Sequence, residues 1–190
     1  MHSTGGGNDT VLAGAGRDSV TGGAGVDIIS GGDGIDTIFG GTNNDTIDGG
    51  LGNDILNGQD GADSILGGDG NDKLTGQLGH DMLRGGLGND TLKSNAGNDQ
   101  LFGDEDNDSL LGGDGTDHLE GGAGLDVLRG DKQNDTLLGG TGDDSLVGGA
   151  DNDSLDGEGG NDTVNGDFGD DILKGGNDND RLRGYPRIAI

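Results

Sequence analysis

Residues 85 to 93 read GGLGNDTLK, with three glycines and an aspartate ahead of a Thr-Leu-Lys triplet. Numbered one to nine, this unit puts glycine at positions 1, 2 and 4, aspartate at 6 and an aliphatic residue at 8. The register does not stop there. Aspartate occupies every residue number divisible by nine: Asp9, Asp18, Asp27, Asp36, Asp45, Asp54, Asp63, Asp72, Asp81, Asp90, Asp99, Asp108, Asp117, Asp126, Asp135, Asp144, Asp153, Asp162, Asp171 and Asp180. Two residues after each of the twenty stands Val, Ile or Leu, from Val11 to Leu182.

Composition alone points elsewhere. Among 190 residues there are 48 glycines, 27% hydrophobic and 2% aromatic residues, and the formal charge is -27. Such chains bury little apolar area and repel themselves, the usual basis of disorder. A register kept through twenty units argues against disorder, and the scarcity of apolar residues then requires a thin fold.

Glycine fills position 1 in 17 of 20 units, position 2 in 13 and position 4 in 15. At Asn43, Asn95, Asp104, Asp131 and Asp167 the replacement at position 2 or 4 is Asn or Asp, residues that tolerate positive φ, so these positions are expected to need left-handed backbone. Clustered glycines and an apolar period of nine exclude a helix. The remaining reading is a turn of six residues and a strand of about three, whose central aliphatic side chain points inward. One such strand cannot bury its face alone, but stacked units can. Two units close a coil of 18 residues, and twenty give about ten coils, an all-β parallel solenoid roughly 45 to 50 Å long at a strand spacing of about 4.8 Å.

The pattern G-G-x-G-x-D-x-U-x, with U aliphatic, resembles the RTX (repeats-in-toxin) calcium-binding nonapeptide family over residues 4 to 184. The resemblance implies a right-handed parallel β-roll in which calcium sits between turns one coil apart, held by the twenty aspartates and backbone carbonyls. It also implies an extracellular protein, exported by the bacterial type I route. The residues suit that chemistry: calcium takes six to eight oxygen ligands, and glycine lets carbonyls turn toward an ion. Aspartates 18 apart share an edge, so Asp9, Asp27 and Asp45 line one and Asp18, Asp36 and Asp54 the other. Like charges stacked in this way are expected to leave the metal-free chain largely unfolded. Nine gaps on each edge set an upper bound of about 18 ions, enough to move the formal charge from -27 to +9. Positions 2 and 4 are both glycine in seven units of the Asp18 edge and three of the Asp9 edge, so the Asp18 edge is expected to bind more tightly.

Other chemistries find less support. There is no cysteine for a disulfide or thiolate site. The acidic excess disfavours nucleic acid and anionic membrane surfaces. No apolar run approaches the roughly 20 residues that cross a bilayer, and MHSTGGGNDT lacks the basic and apolar regions of a secretion signal, so no export signal is visible. His2, His80 and His118 fall at different repeat positions and form no catalytic pair. A general acid needs a cleft and burial, which a thin roll does not offer, and no Gly-Lys-Ser/Thr sequence follows any turn, so neither an enzyme nor a nucleotide site is expected. Asp104, Asp106 and Asp108 are followed by Ser109 where an EF-hand loop needs glycine.

Asn precedes the repeat aspartate in 11 of 20 units, read as a ladder of stacked amides rather than an ice-binding row. Outward positions carry Phe39, Leu66, Arg84, Lys93, Phe102, Leu111, Arg129 and Lys174. They leave open a contact with an acidic polysaccharide or with other domains of a larger secreted protein. Residues 1–3 read as an N-terminal tail, 4–184 as the roll, and 185–190, with Tyr185, Ile188 and Ile190, as a tail or partial cap.

Overall fold

The structure, a computed structural model, describes residues 2–184. Twenty-one strands follow one another at nine-residue intervals, from β1 (His2–Gly6), β2 (Thr10–Ala15) and β3 (Ser19–Ala24) to β19 (Thr163–Phe168), β20 (Ile172–Lys174) and β21 (Arg181–Gly184). Odd-numbered strands form one eleven-stranded sheet and even-numbered strands one ten-stranded sheet, each strand pairing with those 18 residues away. Every pairing is parallel: Leu83 stands between Ile65 and Leu101, and Arg84 between Leu66 and Phe102. The chain is thus a two-sheet parallel β-solenoid of about ten 18-residue coils, as the repeat predicts.

Two expectations need correction. Most strands are six residues long, not three, and cover positions 7, 8, 9, 1, 2 and 3, which leaves three residues for each connection. The glycines at positions 1 and 2 keep up the ladder instead of turning away from it. His2 and Ser3, set apart from the sequence as a tail, pair with Val20 and Thr21. The cap expected from residues 185–190 lies outside the described residues.

Alternation along the strand explains the composition. Positions 8 and 1 both point inward, and 7 and 9 outward. Position 8 supplies the core, an unbroken row from Val11 to Val164. Position 1 also faces inward, and there a side chain is nearly always missing. The interior therefore holds one aliphatic side chain per strand, and the two sheets lie close together.

Left-handed backbone at positions 2 and 4 is borne out. All twelve non-glycine residues at these positions, from Asn43 to Asp178, have φ between 62° and 94°. They include Gln59, Gln77, Gln133 and Glu158, which the preference for Asn and Asp does not anticipate. Position 1 glycines such as Gly31 and Gly49 have no such φ, so another constraint put glycine there.

The Asn residues at position 5 do more than stack. Each of the ten with a coil above it accepts a hydrogen bond from the backbone N–H 18 residues on, as Asn53 Oδ1 does from Asn71 (2.9 Å) and Asn71 Oδ1 from Asn89 (2.9 Å). Side-chain amide to amide bonds appear at few steps, such as Asn107 to Asn89. His80 takes the same place, its Nδ1 accepting from the Asn98 N–H at 2.8 Å, and so does Asp143, which accepts from Asn161.

Candidate calcium sites

The repeat aspartates lie where the three-residue connections bend back toward the core. Sixteen of them, Asp27 through Asp162, are almost wholly buried, with 0 to 3% of their surface exposed. One carboxylate oxygen of each is accounted for. Asp9 N–H donates to Asp27 Oδ1 at 2.8 Å, Asp36 N–H to Asp54 Oδ1 at 2.7 Å, and the pattern continues to Asp162 and Asp180 at 3.0 Å. Asparagine thus binds the coil after its own, and aspartate the coil before.

The other oxygen is not accounted for. In seventeen aspartates Oδ2 is buried and has no hydrogen-bond partner. A buried carboxylate oxygen without a donor costs several kcal/mol, more than an ordinary missing hydrogen bond. Seventeen in register are a feature of the fold, and they call for a cation.

Burial is the first reason these groups resist ionisation. It pushes Asp45, Asp54, Asp117 and Asp153 up to about 6, against the pull of the backbone N–H on each. Asp81, Asp90, Asp108 and Asp144 rise to about 7 and Asp135 to about 8. Neighbouring carboxylates add to the rise but contribute less than burial. Stacked like charges, the cost expected from the sequence, are therefore the smaller one, and loss of water the larger.

Position 1 completes the arrangement. A β-carbon built on Gly31 would stand 2.5 Å from Asp36 Oδ2 and 2.6 Å from the carbonyl oxygen of Gly49, and one on Gly49 would stand 2.6 Å from Asp54 Oδ2 and 2.5 Å from the Gly67 carbonyl. Glycine therefore keeps open a small space on which a carboxylate oxygen and a carbonyl of the next coil converge. Among the described residues no three carboxylate or imidazole groups come together as a cage. The donor set is one carboxylate oxygen with backbone carbonyls, all hard oxygens, which fits calcium and not a soft metal.

The edges differ. From Gly31 to Gly157 on the Asp18 edge, the next coil's carbonyl comes within 2.8 Å of that β-carbon point in every unit. At Gly58, Gly76, Gly130 and Gly148 on the Asp9 edge, the three nearest atoms all belong to the aspartate. At Gly22 and Gly40, also on the Asp9 edge, the next coil's carbonyl comes to 2.5 and 2.8 Å, so the two edges differ only from Gly58 onward.

Comparison with known families agrees with this geometry. The model of the RTX calcium-binding nonapeptide repeat matches ten overlapping segments: 3–38, 30–65, 39–74, 57–92, 75–110, 94–128, 111–146, 129–164, 138–173 and 156–185. The chain belongs to the RTX calcium-binding repeat family. No curated protein matches it.

Within this RTX roll the extra acidic residues at position 2 turn away from the row of aspartates. Asp104 accepts from Arg84 Nη1 at 2.7 Å, Asp131 pairs with Arg129, and Asp167 accepts from Asn165 at 3.0 Å. Arg84 also lies over the Phe102 ring, 4.8 Å from its centre. Among the described residues no helix is long and apolar enough to cross a membrane.

Proposed function

We propose that this RTX roll is a non-catalytic folding and structural module of a secreted protein, and that calcium binding completes its fold. The buried, unpartnered Oδ2 row carries the reading. The twenty aspartates from Asp9 to Asp180 would hold the ions together with backbone carbonyls, one ion per gap between coils and at most about 18 in all. Calcium supplies positive charge to oxygens that have lost their water, so binding free energy becomes folding free energy. From Gly58 onward the closer approach of carbonyls favours tighter sites on the Asp18 edge.

The test is far-UV circular dichroism during a calcium titration at pH 7.5, with magnesium as control. A cooperative rise of β signal with calcium alone is expected, because magnesium sheds its water reluctantly and prefers octahedral geometry. A full β signal before any calcium is added would sink the reading. In a crystal grown at limiting calcium, the Asp18 edge is expected to fill first; equal occupancy would remove that part.

One observation favours a second reading. In the odd-strand sheet from β3 to β21, outward positions 7 and 9 carry no Asp or Glu, yet they hold Lys73, Lys93, Arg129, Arg181 and Arg183, half of the chain's ten basic residues. On a protein of charge -27, this row of basic side chains, with Asp60, Asp114, Asp131 and Asp167 confined to positions 2 and 3 of the same strands, suits a polyanion such as an acidic polysaccharide. On a glycan array with calcium present, acidic polymers should be retained, and Lys73→Glu with Lys93→Glu should abolish the retention; no retention would leave the structural reading alone.

A further inference from the structure

Position 1 departs from glycine three times, at Thr4, Ala13 and Ser94. Thr4 and Ala13 belong to the first two units. Ser94 lies in the middle of the roll, on the Asp9 edge, between Gly76 and Gly112 at the same position one coil away on either side. Its side chain is fully buried.

Strand alternation gives this side chain one direction, inward, toward the space that glycine keeps open in the other coils. Its hydroxyl donates to the carbonyl oxygen of Gly112 at 2.8 Å. That carbonyl is the counterpart of the Gly49 and Gly67 oxygens described above, which converge with an aspartate Oδ2 on an open space. The aspartate of the Ser94 unit is Asp99. At the same position one coil away on either side, a β-carbon would stand 2.2 Å from Asp81 Oδ2 and 2.4 Å from Asp117 Oδ2, so the Ser94 β-carbon stands beside the matching oxygen of Asp99. The hydroxyl therefore lies between the two groups that an ion would join. A lone pair of the Gly112 carbonyl is already engaged by its proton.

Resting on the calcium reading above, we propose that Ser94 fills one calcium site of the Asp9 edge with its own hydroxyl, so that the run of ions on that edge is broken there. The coil at Ser94 is tied to the next by a protein hydrogen bond where its neighbours use a cation. The Asp9 edge then consists of two shorter runs, one on each side of Asp99, while the Asp18 edge has no interruption of this kind between Gly31 and Gly157. Binding along the two edges differs in consequence: ions on the Asp18 edge support one another through the whole stack, and those on the Asp9 edge only within each run.

Counting ions tests this. Native mass spectrometry at saturating calcium is expected to show one more ion in Ser94→Gly than in the parent chain. Ser94→Ala, which keeps the β-carbon in the same space, should leave the count unchanged. In the opposite direction, Gly139→Ser on the Asp18 edge should lose one ion, since a β-carbon there would stand 2.6 Å from Asp144 Oδ2 and 2.7 Å from the Gly157 carbonyl. An equal count in Ser94→Gly and the parent chain would overturn the proposal, whatever Gly139→Ser does. If neither chain binds calcium, the calcium reading itself fails, which is a separate result.

Discussion

Stripped of calcium, the chain is expected to keep much of its β signal at pH 5 and to lose it by pH 8. The unfolded carboxylates titrate near 3.9. In the roll, burial first, and neighbouring carboxylates second, lift Asp54 to about 6, Asp90 to about 7 and Asp135 to about 8. Between pH 4 and 8 the folded state therefore holds more protons than the unfolded one, and stability falls as pH rises. The stabilisation is fully present below the unfolded value and gone once the pH has passed the folded values. A series of circular dichroism spectra in calcium-free buffer from pH 5 to 8 checks the sign. Sodium chloride at 1 M, which shortens the screening length to about 3 Å, should not rescue the fold at pH 8, because desolvation and not repulsion is the main cost. Millimolar calcium should. A metal-free chain more stable at pH 8 than at pH 5 would contradict the burial of these carboxylates.

The second large effect belongs to a glycine. Gly49→Val is expected to cost on the order of 3 kcal/mol in calcium, the upper range for forcing extra atoms into a packed interior. For a chain of this size that corresponds to a fall in Tm of about 6 to 12 °C. The β-carbon would meet both Asp54 Oδ2 and the Gly67 carbonyl, and relieving it means shifting the next coil. Its neighbour is the control. Gly50 has φ 102° and its β-carbon would stand 2.2 Å from the Gly32 carbonyl, but other coils carry Asn95 or Asp104 at this position by a local shift, so Gly50→Asn should cost about 1 to 2 kcal/mol of left-handed backbone plus that shift, and less than Gly49→Val. Thermal melts of the two variants at saturating calcium give the comparison. Equal losses would mean that the carboxylate oxygen beside the first glycine adds nothing to the cost of the backbone contact.

These two glycines show how far the sequence could be read. The nine-residue register, the row from Val11 to Val164 and the alternation of aspartates between two edges all follow from side chains that recur, and they are legible without coordinates. Left-handed backbone at positions 2 and 4 was legible through Asn43, Asn95 and Asp104, residues that prefer it. It was hidden at Gln59 and Glu158, which do not prefer it and adopt it because the coils on either side hold them there. Strand length is not legible because glycine signals a turn, whereas here Gly86 pairs with Gly68 and Asp104 in the neighbouring coils just as Thr91 pairs with Lys73 and Ser109. The reason for glycine at position 1 was out of reach, since it depends on where a carboxylate oxygen of the same unit and a carbonyl 18 residues away come to lie. So was the direction of the asparagine bonds, which depends on how the coils are offset.

The opposed directions of those bonds have a mechanical meaning. Asn53 Oδ1 holds the coil after it and Asp54 Oδ1 the coil before it; the aspartate bond recurs at every step and the asparagine bond wherever position 5 is Asn with a coil beyond it. Under tension applied at one end, only the outermost clasp carries the load while those behind it stay closed. Each release frees 18 residues, about 60 Å of extended chain, before the next clasp is engaged. The roll is expected to yield in steps of one coil, and, if calcium completes the fold as proposed, each step should close again in calcium as the tension drops.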